Sequence, residues 1–383
     1  MKILIVHPKL IWRGAEKLSV NFAVNLQKLG HKVSYLTLFV DDKGKSEDIK
    51  KLHLILPSRF WQKVITKNEF TLSFFGFWTL LFMTLKYAKK CQIINAQNFP
   101  APWVAVIAGK ILGKPIIWTL YDVPQKISWK KRNSLIEYLI WFFAASVIDK
   151  LLVSQIDEII VQGSFEYKKV LKRYGRKSKI IMPVINERFF VGVKKTSHLG
   201  INPEAKYIMV SASHLHFRKN QKIIIKAFKE IESKIDKPLL VFAGDGPDRH
   251  KLIDLVKRLS LTEKVIFTGI LSEKEMSELY SKSKLLLLPS LEEPFGLTPF
   301  EALLSGACPV VSDRTGCSEV IRKYNLGYVV KPTVSDFAGT ILRAYKNKKE
   351  VLADVTRGKL WTKKNMAPIR YAKEHELIFR EYI

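Results

Sequence analysis

Short apolar runs recur along this chain at a spacing that leaves room for a helix between most of them. Ile3–His7 is followed by a helical pattern from about Gly14 to Lys28, closed by Gly30; then come Lys32–Thr37, Lys51–Leu56, Ile93–Ala96, Ile116–Leu120 and Glu158–Gln162. Runs this short and this rich in Val, Ile and Leu suit strands buried on both faces. Alternation with helices therefore predicts an α/β fold built on a doubly wound parallel sheet. The pattern thins between residues 183 and 206, where Gly, Pro, Lys and Thr dilute it, and then restarts: Tyr207–Ser211, Leu239–Ala243, Lys264–Phe267, Leu285–Pro289, Pro309–Ser312 and Gly327–Val330. A chain of 383 residues exceeds one ordinary core and fits about two domains of roughly 150 residues. The expected division is 1–190 and 200–361, with a charged helix over about 362–383 packing back on the first domain. Two such sheets in tandem are expected to bind ligands at the carboxyl ends of their strands.

One stretch suggests what is bound. LPSLEEPFGLTPFEALLSGACPVVSD, residues 288–313, places Glu293 and Glu301 around Pro-Phe-Gly-Leu-Thr-Pro-Phe. A strand ends near Pro289. Thr298-Pro299-Phe300-Glu301 reads as a capping box with Pro at the first helical position, and Gly306 as the stop. Phe300, Leu303 and Leu304 form the apolar face. Strand, glycine loop and helix start make an anion site, because the amides of Gly296, Leu297 and Thr298 point forward with the positive end of the helix dipole behind them. A phosphate fits. Carboxylates beside a phosphate make sense if they accept hydrogen bonds from sugar hydroxyls. For Glu301 the alternative is a capping role alone.

Net charge is +29, and residues 1–190 hold 31 Lys and Arg against 13 Asp and Glu. Such a surplus favours polyanions, an anionic membrane face or phosphorylated ligands, or it is a Lys-rich solvated surface. Phe70 to Leu85 is uncharged but falls short of the roughly 20 residues that span a bilayer; a helix packed between a sheet and another layer is the preferred reading. Leu135–Ile148, after the basic run Lys126–Arg132 with Trp129, has the composition of a helix lying on an anionic membrane or of a packed one. Cys91, Cys308 and Cys317 have no metal or redox spacing, which implies a reducing compartment. The N-terminus turns polar too early for a signal peptide.

The run P-S-L-E-E-P-F-G-L-T-P-F-E-A-L-L-S-G-A-C-P-V-V resembles the E-x7-E signature of the group 1 (family 4) retaining glycosyltransferases. So do V-F-A-G-D-G-P-D at 241–248, K-V-I-F-T-G at 264–269 and S-E-L-Y at 277–280, and H-P-K-L-I-W-R-G-A-E-K at 7–17 is similar to the family's first glycine loop. The resemblance implies the GT-B fold, two Rossmann-like domains facing across a cleft, and transfer from a nucleotide-diphosphate sugar to a glycan or lipid-linked acceptor. Glu301 would hold ribose hydroxyls, Glu293 would lie near the donor sugar, and the Phe295–Thr298 amides would bind the diphosphate. Lys219 matches the catalytic Lys, a fixed cation for the charge that grows on the leaving diphosphate. The Arg expected five or six residues earlier is absent; Ser213 or His214 stands there, and Arg218 is a substitute. His214 is expected to hydrogen-bond phosphate; with His216 it gives too few ligands for a closed metal site. Gly244, Gly246 and Pro247 shape a base pocket or make a plain turn. Gly14 and Ala15 stand at the diphosphate or acceptor loop, with Arg13 where a Gly is usual. Tyr121-Asp122 replaces a common His-Asp, and Thr315-Gly316-Cys317 stands where a Gly pair is common.

No obligatory metal or other cofactor is implied. The expected partners are a nucleotide sugar, a glycan or lipid-linked acceptor and an anionic membrane surface, with no nucleic acid. The expected location is cytoplasmic, peripheral at the inner face of the membrane. The rival enzyme reading is a nucleotide-sugar epimerase or a sugar-phosphate synthase of the same fold. The rival of another class is a non-catalytic polyanion or nucleic-acid binding protein.

Overall fold

A computed structural model describes residues 1–11, 14–41, 47–67, 69–122, 147–190 and 204–383. Arg13, the basic run 126–132 with Trp129, nearly all of 135–148 and most of the seam at 183–206 lie outside them. The chain forms two compact units, one of residues 1–183 and 368–383, the other of residues 184–367.

The first unit holds β1 (Lys2–Val6), α1 (Gly14–Lys28), β2 (Lys32–Leu36), α2 (Glu47–Lys50), β3 (His53–Ile55), α3 (Arg59–Ile65), α4 (Glu69–Ala88), β4 (Ile93–Gln97), α5 (Ala101–Leu112), β5 (Ile116–Leu120), α6 (Asp149–Ser154), β6 (Glu158–Val161), α7 (Ser164–Tyr174) and β7 (Lys179–Ile180). The second holds β8 (Tyr207–Ala212), α8 (Gln221–Ile231), β9 (Pro238–Ala243), α9 (Arg249–Arg258), β10 (Val265–Gly269), α10 (Glu273–Lys282), β11 (Leu285–Leu288), α11 (Thr298–Ser305), β12 (Cys308–Ser312), α12 (Ser318–Tyr324), β13 (Tyr328–Val330), α13 (Val334–Lys346) and α14 (Lys348–Asn365); α15 (Pro368–Arg380) returns to the first.

Every pairing between these strands is parallel. The first sheet runs β3-β2-β1-β4-β5-β6-β7 and the second β10-β9-β8-β11-β12-β13. In both, the order turns back beside the first strand, which puts a crevice at the carboxyl ends of β1 and β4 and of β8 and β11. The strands are mostly apolar because helices cover the sheet faces: Met209, Val210, Leu240, Val241 and Leu285 to Leu287 are fully buried, as are Leu4, Ile94, Ile116 and Ile159. Helix α15 lays Tyr371, His375 and Phe379 around Phe22 of α1, with ring centroids 5.4, 4.5 and 6.4 Å away. Asp149 joins three distant residues. It accepts from Trp103 Nε1 at 2.9 Å, Arg173 Nη2 at 2.9 Å and the Tyr174 hydroxyl at 2.8 Å.

The structure corrects the reading of residues 70–85. Over its described side chains, residues 74–88, helix α4 is packed on one side: Leu80, Leu81, Thr84 and Ala88 are buried, whereas Phe74, Phe75, Trp78 and Phe82 face solvent. The cause is composition, since a helix apolar all round gives no sequence signal for which side a partner will cover. Among the described residues no helix is long and apolar enough to cross a membrane.

Candidate active site

The site is built where β8 and β11 end. After Leu288 the chain leaves the sheet and is zipped backbone to backbone against the turn that follows β12. The Glu293 N–H donates to the Arg314 carbonyl at 3.3 Å, Gly316 N–H to Glu293 at 2.9 Å and Cys317 N–H to Phe295 at 2.8 Å. The approach is so close that a Cβ on Gly316 would lie 1.9 Å from the Pro294 oxygen. Gly296 then turns the chain with φ at +93°, and a Cβ there would sit 3.3 to 3.4 Å from Glu293, Leu288 and Cys317 atoms. Both the angle and the space select glycine. Burial pushes the Cys317 thiol up to about 12, so it is packing beneath the loop and not a thiolate.

The start of α11 differs from the sequence expectation. No capping box forms at Thr298. The N-cap is Leu297, whose carbonyl already accepts from the Phe300 and Glu301 amides at 3.0 and 3.1 Å, and it makes no side-chain cap. Helical hydrogen bonding thus begins one residue early, Thr298 is helical and Pro299 is the second residue of the helix. Gly306 ends the helix at φ +110°, as its sequence position suggested. Among the described residues, no hydrogen bond is donated by the backbone N–H of Gly296, Leu297 or Thr298. Open amides at a helix start form an anion site. Phe295 contributes backbone only, since its ring is buried against Phe300 at 5.7 Å.

The loop after β8 supplies the cation. Residues 217–219 form a single 3-10 turn, Asn220 takes a left-handed conformation, and α8 follows. Gln221 Nε2 donates to Ser213 Oγ at 2.9 Å and to the His214 carbonyl at 3.0 Å. This loop is stitched to the one after β11: the Leu291 N–H donates to the Arg218 carbonyl at 2.8 Å. Across the stitch, Lys219 Nζ forms an ion pair with Glu293 Oε2, and the two side chains are 23% and 16% exposed. A half-buried pair is less screened than a surface one, and it holds both groups at the crevice.

Glu301 sits half-buried in the first turn of α11, where the Tyr280 hydroxyl donates to its Oε2 at 3.5 Å. Burial raises Tyr280 well above the usual phenol range, which keeps it a neutral donor. Sequence reasoning gave Tyr280 no role, although it closes the S-E-L-Y segment. Arg218 is half-buried and His214 exposed, with the His214 ring stacked on His216 at 6.1 Å. Gly244 and Gly246 let a turn lie on the same loop: Cβ atoms there would fall 2.1 Å from the Ser213 oxygen and 2.3 Å from that of Leu215. Pro247 follows between these contacts and α9.

Gly14, Ala15 and Asp122 belong to the first unit. Gly14 opens α1 and is exposed; Ala15 and Asp122 are half-buried, Asp122 just past β5. Tyr121 beside it is buried, and its hydroxyl donates to Gln97 Oε1 at 3.2 Å. It joins a buried polar network that sequence reasoning missed. Gln97 Nε2 donates to Asn95 Oδ1 at 2.7 Å, Asn95 Nδ2 to Thr119 Oγ1 at 2.8 Å, and Ser19 Oγ lies 2.6 Å from the Tyr35 hydroxyl. The available signal was Asn and Gln inside an otherwise apolar strand, I-I-N-A-Q.

Comparison with known families decides the class. Residues 12–186 match the family described as Glycosyltransferase Family 4, and residues 196–360 match Glycosyl transferases group 1. The chain belongs to the group 1, family 4 glycosyltransferases. This transferase is 23% identical over 375 residues to the alpha-1,3/1,6-mannosyltransferase ALG2 of Dictyostelium discoideum, covering 88% of each chain. It is 27% identical over 339 residues to the alpha-monoglucosyldiacylglycerol synthase of Streptococcus pneumoniae, covering 83% of this chain and 72% of the other. Among solved structures, Anabaena Alr3699/HepE in complex with UDP and glucose is similar along 100% of both chains, with a TM-score of 0.78 at 17% identity. That likeness establishes the GT-B fold.

Proposed function

We propose that the transferase moves a sugar from a nucleotide-diphosphate sugar to a lipid-linked or polysaccharide acceptor, with retention at the anomeric carbon. The observation that carries this reading is the convergence, at the β8/β11 crevice, of the open amides before α11, the Lys219 cation and two carboxylates. Anionic phosphates match the first two, and sugar hydroxyls match the carboxylates.

In this reading the amides of Phe295 to Thr298 hold the diphosphate. The bond from the anomeric carbon to the phosphate oxygen breaks, and the electron pair stays on that oxygen. Lys219 meets the growing charge there, with Arg218 and His214 beside it; stabilisation that strengthens as the bond breaks lowers the barrier. Glu301 accepts from the ribose hydroxyls and Glu293 from those of the donor sugar. The acceptor hydroxyl attacks from the face the phosphate leaves, and its proton passes to that phosphate. Gly244, Gly246 and Pro247 shape the wall for the base, while Gly14, Ala15 and Asp122 serve the acceptor or diphosphate side. Fixed cations and helix amides do this electrostatic work, so no metal ion is obligatory. The UDP complex of the Anabaena protein supports a donor of this kind, and the glucosyldiacylglycerol synthase supports a lipid acceptor presented at a membrane.

The test is a panel of nucleotide sugars followed by proton NMR. An α-linked donor that yields an α-configured product, with turnover retained in EDTA and lost in Lys219→Ala, supports the proposal. Inversion, or turnover indifferent to Lys219, contradicts it.

A further inference from the structure

Two neighbouring helices of the first unit expose more aromatic surface than a water-facing wall requires. Phe74, Trp78 and Phe82 recur every fourth residue and so lie along one side of α4, with Phe75 adjoining. Helix α3, packed on α4, adds Phe60 and Trp61. These six side chains are 40% to 70% exposed. Their rings gather edge to face, Phe74 on Phe75 at 5.4 Å and Phe60 on Trp61 at 6.0 Å. Contiguous exposed rings mark a docking surface.

Charge identifies the occupant. Between His53 and Lys90 stand six basic residues, Arg59, Lys63, Lys67, Lys86, Lys89 and Lys90, against the single acid Glu69. All six basic residues are exposed. They bracket the aromatic stripe: three lie on or just after α3, and three at or beyond the last turn of α4. Protein interfaces are depleted in Lys. A lipid surface asks for both features, since aromatic rings lodge at headgroup depth while long basic side chains reach the phosphates.

We propose that α3 and α4 form the face with which this transferase docks on an anionic lipid bilayer. The inference deepens the reading of a membrane-presented acceptor by naming the contact surface and the lipid charge.

The test is co-sedimentation of the full chain with vesicles of phosphatidylcholine alone or mixed with phosphatidylglycerol. Wild type should pellet with the anionic vesicles and not with the neutral ones, and high salt should release it. Phe60→Ser/Trp61→Ser and Trp78→Ser/Phe82→Ser should each lower partitioning tenfold or more. Lys63→Glu/Lys67→Glu should do the same without touching an apolar group, which keeps the inference testable should an aromatic variant misfold. Donor titrations should be unchanged in all three. Unchanged partitioning in these variants would overturn the assigned face while leaving a membrane-borne acceptor standing. Wild type that ignores anionic vesicles, or that forms a dimer lost in the aromatic variants, would overturn the lipid assignment. Failure of wild type to bind any donor would instead strike the catalytic reading alone.

Discussion

Lys219 and Glu293, 74 residues apart in sequence, close an ion pair between the loops that leave two adjacent strands of the second sheet. The pair sets a cation beside the amides that open α11. It also gives Lys219 a defined position before any phosphate arrives. Lys219→Ala should therefore lower kcat roughly a hundred- to a thousandfold, the range for removing one preorganised charge-stabilising group. Folding stability should move by no more than about 1 kcal/mol, because the pair is still partly solvated. Steady-state kinetics with thermal melting separates the two effects.

Glu301 bears on both binding and folding. Its amide is already satisfied by the Leu297 carbonyl, and no capping box depends on its side chain. Glu301→Ala removes the acceptor of the buried Tyr280 hydroxyl, so it should cost about 1 to 2 kcal/mol of stability. Donor affinity should fall about tenfold or more, the worth of a charged hydrogen bond. The pair Glu301→Ala and Tyr280→Phe separates that stability cost from donor binding; an equal loss of affinity in the two variants would return Glu301 to a structural role.

Gly296 should be intolerant. Alanine there must adopt a φ of +93° and crowd three neighbours at 3.3 to 3.4 Å. Gly296→Ala should destabilise the second unit by about 1 to 3 kcal/mol and weaken donor binding as the amides turn away. Urea unfolding and donor titration on the same sample would show it.

Acid stability follows from two buried imidazoles. Burial holds His7 and His375 down to about 3 from an ordinary 6.5. The unfolded chain takes up these protons near pH 6.5 and the folded chain does not until about 3, so the unfolded state binds more protons and stability falls as the pH drops through that window. At pH 5 each imidazole accounts for about 2 kcal/mol of that loss. His375→Leu should shrink the difference in unfolding free energy between pH 7 and pH 5 by about that amount, whatever it does to stability at pH 7.

The strand and helix alternation of both units was readable because buried parallel strands must be apolar and short. The loop at 293–301 was readable because a glycine and a helix start carry local signals. The start of α11 was misread since T-x-x-E suits either a cap or a first helical turn; the preceding loop decides, and it brought the Leu297 carbonyl into the helix. Contacts across long sequence distances, such as Lys219 to Glu293 and Trp103 to Asp149, leave no local trace. Neither does the choice of which side of α4 is covered.

The most direct measurement is titration calorimetry of nucleotide-diphosphate sugars against wild type, Lys219→Ala and Glu301→Ala in buffer containing EDTA. The account predicts saturable one-to-one binding of one donor by wild type, weakened in both variants at a temperature where both remain folded. Binding that requires a divalent ion, or that both variants leave untouched, would contradict it.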